Sequence, residues 1–140
     1  MAMNTNNSTD TARPSLTHSS LNHVAIQVVD VEASCRFYEE VLLLEAIPRP
    51  AFSFPGAWYR LGKDQELHLI GQRSDPVFSH HRGNHFALLI DDMDAWEAHF
   101  RELGVTYVPR RTRPDGAYQI YVSDPDGFFI ELCMNPTPST

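Results

Sequence analysis

The apolar positions of this chain keep a period of two in short runs and a helical period in longer ones, and that succession occurs twice. In "LNHVAIQVVD", residues 21–30, Val24, Ile26 and Val28 fall on one side of an extended strand, with His23, Ala25 and Gln27 on the other. "GNHFALLID", residues 83–91, repeats the arrangement, with Phe86, Leu88 and Ile90 opposite His85, Ala87 and Leu89. Each strand runs into an Asp suited to cap a helix. Phe37, Val41 and Leu44 predict a helix from about Val31 to Leu43. Trp96, Phe100 and Leu103 predict a second from about Met93 to Leu103, with Gly104 as its stop. Strands are predicted after the first helix at Glu45–Arg49, Ala57–Leu61 and Glu66–Ile70, the last two joined by "GKDQ". After the second helix they are predicted at Thr106–Arg110, Tyr118–Val122 and Phe128–Met134, with "SDPDG" as the last turn.

The two halves read as one unit written twice. At a single offset Asn22 aligns with Asn84, His23 with His85, Ala25 with Ala87, Asp30 with Asp92, Ala33 with Ala95 and Glu40 with Glu102. Each unit is β-α-β-β-β, residues 21–71 and 83–134, with Gln72–Arg82 between them. One unit has too few strands to bury both faces of its sheet. The expected class is therefore α+β, with two βαβββ modules forming a curved mixed sheet. Helices would cover the outer face, and the histidines would point into a cup on the other.

Length and charge narrow the role. The chain has 140 residues, enough for one domain with a real core. Eleven basic against eighteen acidic residues give a net charge of −7, which argues against nucleic acid and anionic membrane surfaces as partners. The one basic cluster, Arg110, Arg111 and Arg113, suits a solvated loop or the steering of an anionic substrate. "VLLLEAI" is too short to span a bilayer. Residues 1–20, rich in Asn, Thr and Ser, read as a disordered tail, and 135–140 as a short C-terminal tail. Cys35 and Cys133 form no disulfide framework, and cytoplasm is the default compartment.

The candidate chemistry sits on the repeated strands. Aligning "ELHLI" with "IELCM" makes His68 the counterpart of Glu131, one gap away from the offset of the other identities. Four ligand-type side chains then occupy pseudo-symmetric positions: His23, His68, His85 and Glu131. A single strand histidine is commonly an ordinary core or surface residue. Four such groups related by a repeat converge for a geometrical reason, and imidazoles with a carboxylate suit Zn, Ni, Mn or Fe(II). His80 and His81 read as surface residues of the linker, and His18 and His99 have no partner. "DPDG" by itself says only hairpin.

The stretches "LNHVAIQVVDVEASCRFYEEVL", "GAWYRLG", "ELHLI", "NHFALLIDD" and "DPDGFFIEL" together resemble the vicinal oxygen chelate superfamily over residues 21–134. That superfamily includes glyoxalase I, bleomycin-resistance proteins and extradiol dioxygenases, and the pattern here is closest to lactoylglutathione lyase-like proteins. The resemblance implies a divalent metal on His23, His68, His85 and Glu131, with Glu131 also moving a proton. It implies bidentate chelation of a small substrate through adjacent oxygens and, in a single-domain chain, a homodimer with the site between modules or chains. Glyoxalase I commonly has Glu where this chain has His68, Arg where it has Gln27 and Asn where it has Gln72. Gln27, Gln72, Trp58, Tyr59 and Tyr121 are the expected substrate-lining positions. Three activities follow. The leading one is a glyoxalase-type lyase or isomerase; the second is an extradiol dioxygenase with His68 as acid/base. The third is a thiol transferase or a ligand-sequestering resistance protein.

Overall fold

In the computed structural model of the protein, residues 13–138 are described. The first module comprises β1 (His23–Gln27), α1 (Val31–Arg36), β2 (Ala46–Ile47), β3 (Gly56–Leu61) and β4 (Gln65–Ile70). The second comprises β5 (Phe86–Leu89), α2 (Met93–Leu103), β6 (Tyr107–Thr112), β7 (Tyr118–Ser123) and β8 (Phe129–Met134). Both helices start as the sequence predicts: Asp30 accepts from the Ala33 amide at 3.0 Å, and Asp92 from the Ala95 amide at 2.9 Å. Gly104 closes α2 in the left-handed region, at φ 67°. The first helix is less regular than its periodicity suggests. After Arg36 it widens into a π-helical segment, Phe37–Val41. The strand expected at Glu45–Arg49 shrinks to Ala46–Ile47, because Pro48 and Pro50 have no amide to give a ladder.

Each module makes a mixed four-stranded sheet, in the orders β1-β4-β3-β2 and β5-β8-β7-β6. The first and last strands of a module pair in parallel, and the remaining pairs are antiparallel. The expectation of one curved sheet is corrected here: among the described residues no ladder joins the two sheets. Their helix-side residues instead share one core, in which Ile26, Tyr38 and Leu67 of the first module join Met93, Phe100 and Ile130 of the second. Burying both apolar faces in that core leaves β1 and β5 as sheet edges. Residues 13–20 are exposed and without regular structure, while residues 1–12 and 139–140 of the two expected tails lie outside the described residues.

The "DPDG" turn between β7 and β8 does more than reverse the chain. Asp124 accepts from the amides of Asp126 and Phe128 and also from the Tyr38 hydroxyl at 2.8 Å, so the turn is tied to the first module. Burial pushes the Asp124 carboxyl up and, with Asp124 beside it, the Tyr38 hydroxyl as well. Asp126 reaches further into the first module, accepting from the Val29 amide at 2.9 Å and from Arg73 Nη2 at 2.8 Å. The Asp126 and Arg73 side chains are 5% and 17% exposed. His99 was expected to be unpartnered, but its Nε2 donates to the Val41 carbonyl at 3.1 Å, a second contact between modules.

Replacing Asp126 with Ala strands Arg73 and the Val29 amide without their acceptor. Urea unfolding of Asp126→Ala is expected to show a loss of about 3 kcal/mol. A loss below about 0.5 kcal/mol, the level of an ordinary surface change, would sink the latch.

Candidate metal centre

The register places the four candidate ligands as the repeat requires. Ala25 pairs with His68 and Ala87 with Glu131, so His68 and Glu131 hold equivalent places in their sheets. On the cup face of the first module, His23 stacks on His68 with ring centroids 4.3 Å apart, and Trp58 stacks on the other side of His68 at 3.9 Å. His68 Nε2 donates to Glu66 at 2.7 Å. His23 Nδ1 donates to the Asn22 side-chain oxygen at 2.7 Å, which leaves Nε2 as the nitrogen available to a ligand.

The second module is organised differently around the same plan. His85 Nδ1 donates to the Gly83 carbonyl at 2.9 Å, and Nε2 faces Glu131 Oε2 at 3.0 Å. Glu131 is 5% exposed. Its other oxygen accepts from Gln119 Nε2 at 2.6 Å, and that amide also donates to the Tyr121 hydroxyl at 3.2 Å. Burial, followed by the charge of Glu131, pushes the Tyr121 hydroxyl above its ordinary range. Asn84, the counterpart of Asn22, does not hold its histidine: its amide donates to the Phe78 carbonyl.

The donor set fits a divalent ion. Imidazoles whose second nitrogen is tied to an oxygen acceptor, next to a buried carboxylate, are the usual surroundings of a metal. The four groups are nevertheless presented as two pairs on two sheets. Among the described residues no three His, Cys, Asp or Glu side chains converge on one point. A cavity of about 950 Å³ lies elsewhere: it is lined by Val24, Leu42, Phe86, Leu88 and Trp96 and holds none of the four candidate ligands.

The expected substrate-lining residues divide. Trp58 and Tyr121 are equivalent, paired across from His68 and Glu131, and both lie on the cup face. Gln27 is exposed at the end of β1 on that face. Tyr59 is corrected, because it follows Trp58 on the same strand and must point the other way. It is fully buried on the helix side, and its hydroxyl donates to Glu39 at 2.8 Å. Gln72 sits beyond β4 in an exposed loop, at φ 64°. His81, read as surface, is half-buried with its ring 5.7 Å from Tyr121 and 6.1 Å from Phe129. Glu66 and Gln119 were not among the candidates. Both are two residues from a candidate on the same strand, so strand alternation alone could have found them.

The family model described as "Glyoxalase/Bleomycin resistance protein/Dioxygenase superfamily" matches residues 20–132. The chain belongs to this superfamily. It is 32% identical over 123 residues to "Glyoxylase I 4" of Arabidopsis thaliana, covering 82% of this chain and 70% of that protein. It is 28% identical to "Metallothiol transferase FosB" of Bacillus licheniformis, covering 80% of this chain and 73% of that protein. A solved lactoylglutathione lyase from Agrobacterium tumefaciens superposes with a TM-score of 0.66 at 25% identity, over 84% of this chain and 94% of that one.

The Glu131 environment can be tested without a metal. In metal-free protein, Glu131→Gln is expected to move the Tyr121 titration down toward the ordinary tyrosine value, because the charge is gone while the burial remains. Carbon NMR of ring-labelled tyrosine reads Tyr121 directly. An unchanged Tyr121 midpoint would mean the carboxylate does not act on it.

Proposed function

We propose that this chain is a divalent-metal-dependent enzyme of the glyoxalase type, acting on a small substrate that chelates the metal through adjacent oxygens. His23, His68, His85 and Glu131 would hold the ion. The observation that carries the reading is the fixing of the histidine rings. Asn22 takes one ring proton of His23 and the Gly83 carbonyl one of His85, which leaves His23 Nε2 for a ligand and turns His85 Nε2 toward Glu131. A bound Zn, Ni, Mn or Fe(II) would supply Lewis acidity at a chelated carbonyl. Glu131 then serves as the base that takes and returns the proton beside that carbonyl. Gln119 holds the carboxylate in place, and Trp58 and Tyr121 flank the substrate.

The complete ligand set needs the His23–His68 pair brought to the His85–Glu131 pair. We assign that joining to a homodimer in which one chain gives its first module and the partner its second. The open edges at β1 and β5, with Leu21 63% and Leu89 70% exposed beside them, support association there. Mixing His23→Ala with His85→Ala tests both ideas at once. Each variant alone should lose the metal, whereas mixed dimers rebuild one intact site and recover roughly a quarter of the wild-type content. Full metal retention in the single variants would sink the ligand set, and loss without rescue would sink the shared site.

One observation favours a second reading, an extradiol-type dioxygenase. His68 is sandwiched between His23 and Trp58 and bound to Glu66, an arrangement suited to an acid/base group rather than a ligand. Two histidines and one carboxylate would then remain for Fe(II) or Mn(II). Oxygen uptake with catechols by the iron-loaded protein separates the two. Uptake abolished by His68→Ala, with metal content unchanged, would replace the lyase reading.

A further inference from the structure

The two candidate ligands that differ between the modules are also held in place differently. Glu131 is held from the neighbouring strand, by the Gln119 amide at 2.6 Å. Register makes Gly56 the counterpart of Gln119: Gly56 pairs with Ile70 and Gln119 with Cys133, each partner two residues beyond its candidate ligand. Gly56 has no side chain to offer, and a Cβ there would run into the Leu69 carbonyl oxygen. Support for His68 comes instead from its own strand, where Glu66 accepts from Nε2 at 2.7 Å. Two residues before Glu131 stands Phe129, which has no polar group for such a bond. The supports are exchanged along with the groups they hold. An amide donor holds the carboxylate, and a carboxylate acceptor holds the imidazole.

A carboxylate can only accept, so Glu66 places the proton of a neutral His68 ring on Nε2. Nδ1 is then the nitrogen with a lone pair. It has no hydrogen-bond partner among the described residues, and it is not sealed in. The one buried side-chain nitrogen or oxygen without a partner there is Arg49 Nε. The ring is also clamped, with His23 on one face at 4.3 Å and Trp58 on the other at 3.9 Å. Stacking fixes the plane of the ring but is indifferent to which nitrogen carries the proton. Glu66 decides that. The His68 and Glu66 side chains are 13% and 33% exposed, so water competes only in part for the bond between them.

We propose that Glu66 is the positioning residue of the candidate metal centre, fixing His68 so that Nδ1, not Nε2, is the atom offered to the ion. This rests on the metal-site reading above and adds to it the donor atom and a fifth residue. A carboxylate behind a ligating imidazole also makes the ring a stronger donor. Each module then brings one carboxylate to the centre, the first through a ring and the second directly.

The test uses the full chain with zinc, its affinity read by competition with a chromophoric chelator. Glu66→Gln, which keeps the shape and loses the charge, is expected to weaken zinc binding by about tenfold, and Glu66→Ala by up to about a hundredfold. Glu66→Asp should keep part of the affinity. Glu102→Gln, the same loss of charge at an exposed position of α2, should change nothing. Long-range proton–nitrogen NMR of protein with labelled histidine should show the His68 proton on Nε2 and zinc on Nδ1, with His68→Ala giving the assignment. In metal-free Glu66→Ala the proton should spread over both ring nitrogens, a change that a mere packing role would not produce. Zinc bound equally by wild type and Glu66→Ala, or bound to His68 through Nε2, would overturn the assignment of Glu66 alone. A wild-type chain that takes up no zinc would overturn the metal reading, and this inference with it.

Discussion

The parallel pairing of the first strand of each module with the last is the constraint from which the rest of this structure follows. Parallel neighbours cannot be joined by a tight turn, so the chain must leave the sheet, cross one face as a helix and come back. That crossover is why a capping Asp stands after each NH-x-A strand and why each sheet has one helix-covered face and one open face. The pairing also fixes which residues meet on the open face. Ala25 lies directly across from His68, and Ala87 across from Glu131. Alanine is short enough to leave space above it. His23 leans through that space onto the His68 ring, and His85 reaches Glu131 through the equivalent space. The repeated alanine is as much part of the motif as the histidine.

Two such units could each exist with their apolar faces in water only at great cost, and this chain covers those faces with each other. The acidic turn before β8 fastens the arrangement from outside the core. Asp124 holds the turn and Tyr38 together, and Asp126 takes Arg73 and the amide that follows β1's end. A strand that carries Glu131 into its site thus begins from a turn anchored on the other module. Packing and chemistry are coupled through a few residues of sequence.

Much of this was legible in the sequence because period-two and helical patterns are direct consequences of which face is buried. The modules, both N-caps, the equivalence of His68 and Glu131, and the cup-facing Trp58 and Tyr121 all follow from that periodicity. What was not legible depended on contacts between distant segments or on breaks in the pattern. Tyr59 was assigned to the cup by its aromatic character, although its neighbour Trp58 already occupied that face. The joining of the two sheets is decided by which apolar faces meet, and nothing local to either sheet encodes it. The β6 bulge changes the face of an arginine by inserting one residue in the register, and Pro109 within it, with no amide to give the ladder, is the only local sign. The matching asparagines of the repeat look alike in sequence, yet Asn22 holds a histidine and Asn84 holds a loop.

The difference between His68 and Glu131 gives the proposed centre its electrostatic character. With a carboxylate at both positions, a divalent ion would be neutralised by its ligands. With one carboxylate and three neutral imidazoles, one positive charge remains. Glu66, on the same face, is engaged by His68. The repeat brings the candidate donors to equivalent places, and it is broken where His68 stands in one module and Glu131 in the other.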